Sequence, residues 1–372
     1  MKAVIMAGGL GTRLRPLTCN VPKPMVPIIN RPILEHTISL LQKHGIADIV
    51  LLLFYLPDYI KDHFGDGSKF GVTITYITPD KDYGTAGSIR QAAQWLRDPC
   101  LVVSGDAITD LNISQFVKFH HEKDALISIA LSQVGNPSPF GIAVTDKDGR
   151  VTRFLEKPSA GQIFTDTVNM GIYVMQPETL EFIPVNRKYY FAKDLFPKLL
   201  QERQSLYGFI SQCYWKDIGS LRSYQQVHWD WLDGRINLNV KETIRQGNWL
   251  GRNVQIGKGV KLEGTVVLGD HCSINDGVQL SNSIVGNNCQ IGQGSVISNS
   301  ILWNNVYVER NCKLNQDVLG TGTQIREGAC LDRNVFISNN ALLGENCHIN
   351  ANVKIWPEKE VDARAVVNCS VV

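Results

Sequence analysis

From about residue 251 onward the chain repeats with a period that no α-helix has. Aliphatic residues recur at every sixth position, at Ile256, Leu262, Leu268, Ile274 and Leu280, then at Ile325, Leu331, Ile337, Leu343, Ile349 and Ile355. Two positions before each stands a small or β-branched residue, such as Val254, Val260, Cys272 or Ala329. Helices bury residues every third or fourth position and strands alternate. A step of six, with one buried aliphatic per step, fits a β-solenoid with three flat faces and about eighteen residues per coil. The length predicts roughly six coils. Between Leu280 and Ile325 the step falls to five in places, so distorted corners are expected there. Cys289 and Cys312 occupy the small inward slot and are expected as core thiols.

Residues 1–232 obey a different rule. Short β-rich runs alternate with amphipathic stretches, the pattern of an α/β domain around a Rossmann-like, mostly parallel sheet. The division expected is therefore a catalytic domain over 1–232, a linker over 233–250 and the solenoid over 251–372. Strands are expected at Ala3–Ala7, Asp48–Leu53, Thr73–Ile77, Cys100–Val103, Val151–Leu155 and Ile172–Val174. Helices are expected from Pro32 to His44, from Ile89 to Leu96 and from Ser220 to about Trp231.

Bulk properties exclude several classes. A net charge of +2 over 372 residues lacks the basic excess of a nucleic-acid binder. No apolar run is long enough to span a bilayer, and the first strand follows Met1-Lys2 with no apolar leader. The nine cysteines show no metal-ligand spacing, and their odd number argues against a full disulfide framework. A soluble cytoplasmic protein is the expectation.

Chemistry is concentrated at the end of the first strand. Gly8, Gly9 and Gly11 are followed by Thr12, Arg13 and Arg15, and Lys23 sits between Pro22 and Pro24. Glycines allow backbone N–H groups to approach an anion, and the cations supply charge for phosphate oxygens. Two commoner phosphate loops are excluded. No Gly-Lys-Ser/Thr is present, and Leu14 stands where a dinucleotide fingerprint needs its last glycine. Downstream, Asp106 and Asp217 each fall at a strand end, the usual ligand edge of an open α/β sheet. Either acid alone could equally be a helix cap or a turn residue.

Taken in order, the motifs G-G-x-G-T-R-L-x-P-L-T, K-P-M-V-P-I, G-T-A-G, G-D, F-G, E-K-P, V-N-x-G-I-Y and W-x-D-I-G closely resemble the sugar-1-phosphate nucleotidyltransferases. Within that family G-T-A-G and K-P-M-V-P are most similar to mannose-1-phosphate guanylyltransferases. Ser88, where a proline is common, and Met170, where a smaller residue is usual, depart from that pattern. The resemblance implies transfer of a nucleoside monophosphate from a triphosphate to a sugar-1-phosphate, with Mg²⁺ as cofactor. It gives Gly8, Gly9, Gly11, Thr12, Gly84 and Thr85 to the nucleotide, and Arg13 and Lys23 to its phosphates. It gives Gly141, Glu156, Lys157 and Asn169 to the sugar phosphate, and Asp106 and Asp217 to the metal.

The periodic half resembles the left-handed parallel β-helix of hexapeptide-repeat proteins. That resemblance implies homo-oligomers stacked through the helix, or a regulatory role. It also raises an acetyltransferase alternative with His271 or His348 as base. The apolar ending Val366-Val367-Asn368-Cys369-Ser370-Val371-Val372 is expected to be covered by another subunit or followed by further chain, such as the phosphomannomutase-like domain of longer relatives. Rival readings are a glucose-1-phosphate uridylyl-, thymidylyl- or adenylyltransferase and a non-catalytic subunit that senses sugar nucleotides.

Overall fold

The computed structural model describes residues 1–238, 243–245 and 248–372, with backbone only for 243–245. Parts of the expected linker, residues 239–242 and 246–247, lie outside the described residues. Two compact units emerge: Met1–Leu10 with Ile33–Asp217, and Gly11–Pro32 with Ile218–Val372.

The first unit is built on a mixed sheet. Its parallel part is ordered Cys100–Ser104, Lys2–Met6, Asp48–Leu52, Thr73–Ile77. The first three of these strands are rich in Val, Ile and Leu and are buried almost throughout, as strands covered on both faces must be, while Thr73–Ile77 at the edge is only partly buried. The antiparallel part grows from Cys100–Ser104 through Thr167–Met175 to Gly141–Thr145 and Val151–Glu156. Thr167–Met175 is one long strand, where a strand from Ile172 was expected. It bends at Gly171, whose φ of +74° marks the register shift between Asn169 and Tyr173. The helices Ile33–Lys43 and Leu221–Leu232 fall near their expected places, the latter in the second unit, whereas the helix expected at Ile89–Leu96 runs from Gly84 to Gln91 and is followed by a short turn at Ala93–Trp95. No helix among the described residues is long and apolar enough to cross a membrane.

The second unit contains the solenoid. Its coils pair in parallel into three faces, and each face carries seven strands in parallel, from Asn248–Leu250 to Val366–Val367. That makes seven coils where about six were expected, because the ladder starts before residue 251. Inward aliphatics and the thiols of Cys272, Cys289, Cys312 and Cys347 form one continuous core, and all nine cysteines are free. Asparagines such as Asn253, Asn288, Asn305, Asn340 and Asn352 turn the corners with positive φ, which asparagine tolerates better than most residues.

The shortened steps have one cause at one corner. Pairs such as Leu268↔Val285 and Leu302↔Leu319 are 17 residues apart, whereas Leu319↔Ile337 are 18 apart. The missing residue always falls before the first face, at Ser281–Ser283, Ser298–Ser300 and Asn315–Asp317. There buried side chains replace backbone partners. Ser283 Oγ accepts the Ser300 N–H at 3.1 Å, and Ser300 Oγ accepts the Asp317 N–H at 3.1 Å. Asp317 in turn accepts the N–H groups of Asn315 and Val335 at 2.8 and 3.0 Å.

The faces differ in what they show outward. On the second and third faces polar residues such as Gln255, Gln290, Lys261 and Lys313 point out. On the first face Val267, Ile284, Ile301, Val318 and Phe336 take those positions, and all are buried.

Candidate active site

In the first unit the two acids come together through a β-ladder. Cys100–Ser104 ends in Gly105-Asp106, and a short strand Ala107–Thr109 follows at once. Trp215–Asp217 pairs with it antiparallel, with Asp217 directly opposite Ala107. Cross-strand partners lie about 5 Å apart at Cα, so Ala107 and Asp217, 110 positions apart in sequence, become neighbours. Ser104 Oγ donates to Asp106 Oδ1 at 2.5 Å and fixes that carboxylate. Gly105, which donates its N–H to Met6 O at 2.9 Å, ties the acid to the end of the first strand. Among the described residues no group of three or more His, Cys, Asp or Glu side chains could hold a metal. A pair of carboxylates suits a hard cation that completes its shell with phosphate oxygens and water, which is how Mg²⁺ is usually held.

Glu156 and Asn169 converge on Tyr173. Asn169 Nδ2 donates to Tyr173 Oη at 3.0 Å, and Asn169 Oδ1 accepts the Gly171 N–H at 2.9 Å. Burial pushes the Tyr173 phenol up, and the nearby Glu156 carboxylate adds to the shift. Burial likewise pushes the Glu156 carboxyl up, against the opposing pull of Lys157 and Lys193. Gly141 pairs opposite Glu156, and a Cβ there would lie 2.7 Å from Glu156 Oε2 and 2.6 Å from Phe154 Cζ. The glycine makes room for the carboxylate. Lys157 is exposed and holds a left-handed backbone, φ +48°, with its N–H donating to Phe140 O at 3.0 Å. Left-handed lysine is uncommon and costs of order 1 kcal/mol. Here it lies between Glu156 and a proline that cannot continue the ladder.

Gly84 and Thr85 have structural duties besides the expected one. They open a helix instead of preceding it. A Cβ on Gly84, φ +70°, would meet Tyr189 O at 2.7 Å, and Thr85 Oγ1 accepts the Phe191 N–H at 3.1 Å. They hold Tyr189 and Phe191, just before Lys193, whose charge opposes the upward shift of the Glu156 carboxyl. Gly8 is also tight, since its Cβ would fall 3.0 Å from Phe54 Cβ; Gly9 faces open space.

In the second unit the segment Gly11–Pro32 carries Thr12, Arg13 and Lys23. It contains no α-helix, only the short turns Thr12–Leu14 and Lys23–Met25 and the small hairpin of Pro27–Ile28 with Arg31–Pro32. Gly11 has φ +64°, and a Cβ there would press on Lys23 Cβ at 3.1 Å and Thr18 Cγ2 at 3.2 Å. Close approach of Gly11 to Lys23 therefore explains the last glycine of the cradle. Thr12 and Arg13 are exposed, while Lys23 is only 5% exposed and has a polar partner.

Sequence reading missed Ser104, Tyr173 and Lys193. Ser104 directly precedes the G-D motif and Tyr173 closes V-N-x-G-I-Y, so both could have been found there. Lys193 lies on a π-helical turn, Phe191–Leu195, which has no sequence signature.

Residues 2–234 match the Nucleotidyl transferase family, and residues 245–349 match the EIF2B subunit epsilon LbH domain, a left-handed β-helix. The chain is 34% identical over 301 residues to UTP–glucose-1-phosphate uridylyltransferase of Synechocystis sp., covering 75% of this chain and 76% of that protein. It is 29% identical to probable mannose-1-phosphate guanylyltransferase 3 of Oryza sativa subsp. japonica, over 97% of each chain. Among solved structures, a putative glucose-1-phosphate thymidylyltransferase from Bacillus anthracis in complex with a sucrose aligns with a TM-score of 0.57 at 26% identity. That alignment covers 64% of this chain and 98% of the other.

Proposed function

The chain belongs to the nucleotidyl transferase family and within it to the sugar-1-phosphate nucleotidyltransferases, and on that premise we propose that it makes GDP-mannose from GTP and mannose-1-phosphate. The observation that carries the chemistry is the ladder setting Asp217 opposite the residue next to Asp106. Such a carboxylate pair at strand ends suits a polyphosphate and its counter-ion better than it suits a neutral substrate. The choice of mannose and guanine rests on the G-T-A-G and K-P-M-V-P motifs and on the relative that aligns over 97% of both chains.

In the reaction a phosphate oxygen of the sugar phosphate attacks the α-phosphorus, and pyrophosphate leaves. No side-chain base is needed, because that oxygen is already ionised at neutral pH. The protein's task is charge neutralisation and in-line positioning. Arg13 takes the β- and γ-phosphates, and Lys23 steadies the α-phosphate as charge builds. The N–H groups of Gly8, Gly9, Gly11 and Thr12 face the nucleotide, with Gly84 and Thr85 beside it. Lys157 pairs with the sugar phosphate, while Glu156 and Asn169 bond sugar hydroxyls in front of Gly141. Mg²⁺ bound by Asp106 and Asp217 would supply positive charge to phosphate oxygens.

The test is a matrix of four nucleoside triphosphates against mannose- and glucose-1-phosphate, scored by pyrophosphate release. Highest kcat/KM is expected for GTP with mannose-1-phosphate. Turnover confined to UTP or dTTP with glucose-1-phosphate would replace the substrate assignment with the one the Synechocystis relative bears in its name.

A further inference from the structure

The segment that carries Arg13 and Lys23 has little regular structure to hold it. From Gly11 to Val26 its backbone bonds are single-turn contacts, such as Leu14 N–H to Gly11 O at 2.9 Å, Cys19 N–H to Pro16 O at 3.2 Å and Val26 N–H to Lys23 O at 3.1 Å. Only Pro27–Ile28 and Arg31–Pro32 pair, as a two-residue hairpin. Turns of this kind do not resist displacement as a ladder does, yet phosphate cations must be held to within a fraction of an ångström.

Long-range hydrogen bonds supply the restraint, and they come from the solenoid and the helix Leu221–Leu232. Buried Ser338 Oγ donates to Pro16 O at 2.8 Å, and Asn339 Nδ2 donates to Asn20 Oδ1 at 3.1 Å. Asn30 Nδ2 donates to Val285 O at 3.0 Å. Tyr224 Oη donates to Pro27 O at 3.0 Å while accepting Trp303 Nε1–H at 2.8 Å. Val285, Trp303, Ser338 and Asn339 all lie on or directly after strands of the first face, the face whose outward residues are apolar and buried.

Asn339 shows how a repeat position gained a second duty. In its slot of the coil, Asp270, Asn287 and Asn304 each use Oδ1 to accept a backbone N–H of the preceding coil. Asn339 Oδ1 does the same for Thr321 N–H at 2.9 Å. That bond fixes the amide so that Nδ2 faces Asn20, three residues before Lys23. Ser338 likewise departs from the commonest residue of its slot, since Gly251, Gly269, Gly286 and Gly320 follow other strands of this face and only Trp303 and Trp356 also carry side chains there.

We propose that Ser338 and Asn339 are positioning residues for the donor nucleotide, holding the Arg13–Lys23 segment through Pro16 and Asn20. The solenoid is thus part of the donor-binding apparatus and not only an appended module. The inference rests on the reading of that segment as the triphosphate-binding element.

The test compares Ser338→Ala combined with Asn339→Asp against Asn304→Asp. Aspartate at position 339 keeps the Oδ1 acceptor that the coil needs, as Asp270 does naturally, while it replaces the donor to Asn20 with a negatively charged oxygen. Asn304→Asp makes the same exchange in the same slot, at an exposed position and without a bond to the segment. With the triphosphate that the wild type uses in the matrix assay, the double variant is expected to raise donor KM about tenfold, the effect of losing two neutral hydrogen bonds. Acceptor KM should stay within twofold, and Ser338→Thr should retain most of the donor affinity. Hydrogen exchange without substrate should quicken at Leu14, Leu17 and Cys19 in the double variant and not in Asn304→Asp.

Unchanged exchange at those amides overturns the proposal, as does faster exchange with unchanged donor KM, or an equal rise of both KM values. If the wild type turns over no substrate pair, the functional reading fails. In that event GTP titrated by calorimetry replaces KM, and equal affinity in both variants sinks the positioning claim.

Discussion

The proposed catalytic residues are held in two different ways. Asp106, Asp217, Glu156 and Asn169 stand on or beside β-ladders of the first unit, Glu156 and Asn169 on the mixed sheet and Asp217 on the separate two-stranded ladder with Ala107–Thr109. Arg13 and Lys23 stand on a run of turns fixed by partners such as Ser338, 322 residues away from Pro16 in sequence. Register is a local, cooperative device in which a one-residue slip moves every side chain to the other face. Tethering by single side chains is sparse, so each tether can be removed without disturbing a ladder. Damage to the sheet residues should therefore appear as lost chemistry, whereas damage to the tethers should appear as lost donor affinity.

The largest effect expected is on the chemistry. Asp106→Asn keeps the shape of the side chain and removes its charge. Transfer should fall about 10³-fold, the scale on which preorganised charge stabilisation is lost. The far-ultraviolet circular dichroism should be unchanged, because Asp106 is not needed for the ladder that places Asp217. Turnover within tenfold of the wild type would break the assignment of the acid pair. Ser104→Ala, which frees Asp106 Oδ1 of its 2.5 Å donor, should give a smaller loss in the same direction.

A tether elsewhere sharpens the contrast. Trp303→Phe removes the donor to Tyr224 Oη inside a fully buried pair, with an expected loss of about 1–2 kcal/mol of stability. Donor KM should rise with it while acceptor KM stays put, because Tyr224 also holds Pro27 O. Thermal melting together with the two KM values checks this. A melt lowered by that amount with donor KM unmoved would show that the tether at Pro27 supports the fold alone.

The same division governs what could be read from the sequence. The solenoid was legible because a three-faced coil imposes one inward aliphatic per face, and that constraint writes a period of six directly into the residues. The acids were legible as strand-end residues, and the motifs around them carried the resemblance. Their meeting was not legible, since the pairing of Ala107–Thr109 with Trp215–Asp217 depends on tertiary register. The tethers were not legible either. Ser338 and Asn339 look like ordinary corner residues, and their second role depends on a segment more than three hundred positions away. A partial signal was present in the first face, where outward Val267, Ile284, Ile301, Val318 and Phe336 break the polar pattern of the other two. An apolar outward face on a solenoid means that something lies on it.

Sheet-held acceptor residues should respond to steric change without any donor effect. A Cβ at Gly141 would displace the Glu156 carboxylate, 2.7 Å away, and the Phe154 ring tip, 2.6 Å away. Both are ends of side chains and can give, so the fold should survive. Gly141→Ala is expected to raise the KM for sugar phosphate between about 10- and 100-fold, with donor KM unchanged. A donor effect of equal size would erase the distinction between the two modes of holding.

The smallest effect concerns Glu156 itself and is read through pH. Burial raises its folded pKa above the ordinary glutamate value, so the folded chain binds the proton more tightly than the unfolded one. Its stabilising contribution is therefore complete below the ordinary value and is lost as pH rises through the raised one. At neutral pH the ionised carboxylate is a cost to folding that is kept for binding. Glu156→Gln, which cannot ionise, should melt slightly higher than the wild type at pH 7, and the gap should close as pH falls below the ordinary glutamate range. The variant should also bind sugar phosphate more weakly. A melting difference that is independent of pH would mean that Glu156 is not held against its own desolvation. Its place among Tyr173, Lys157 and Lys193 would then have to be explained by packing.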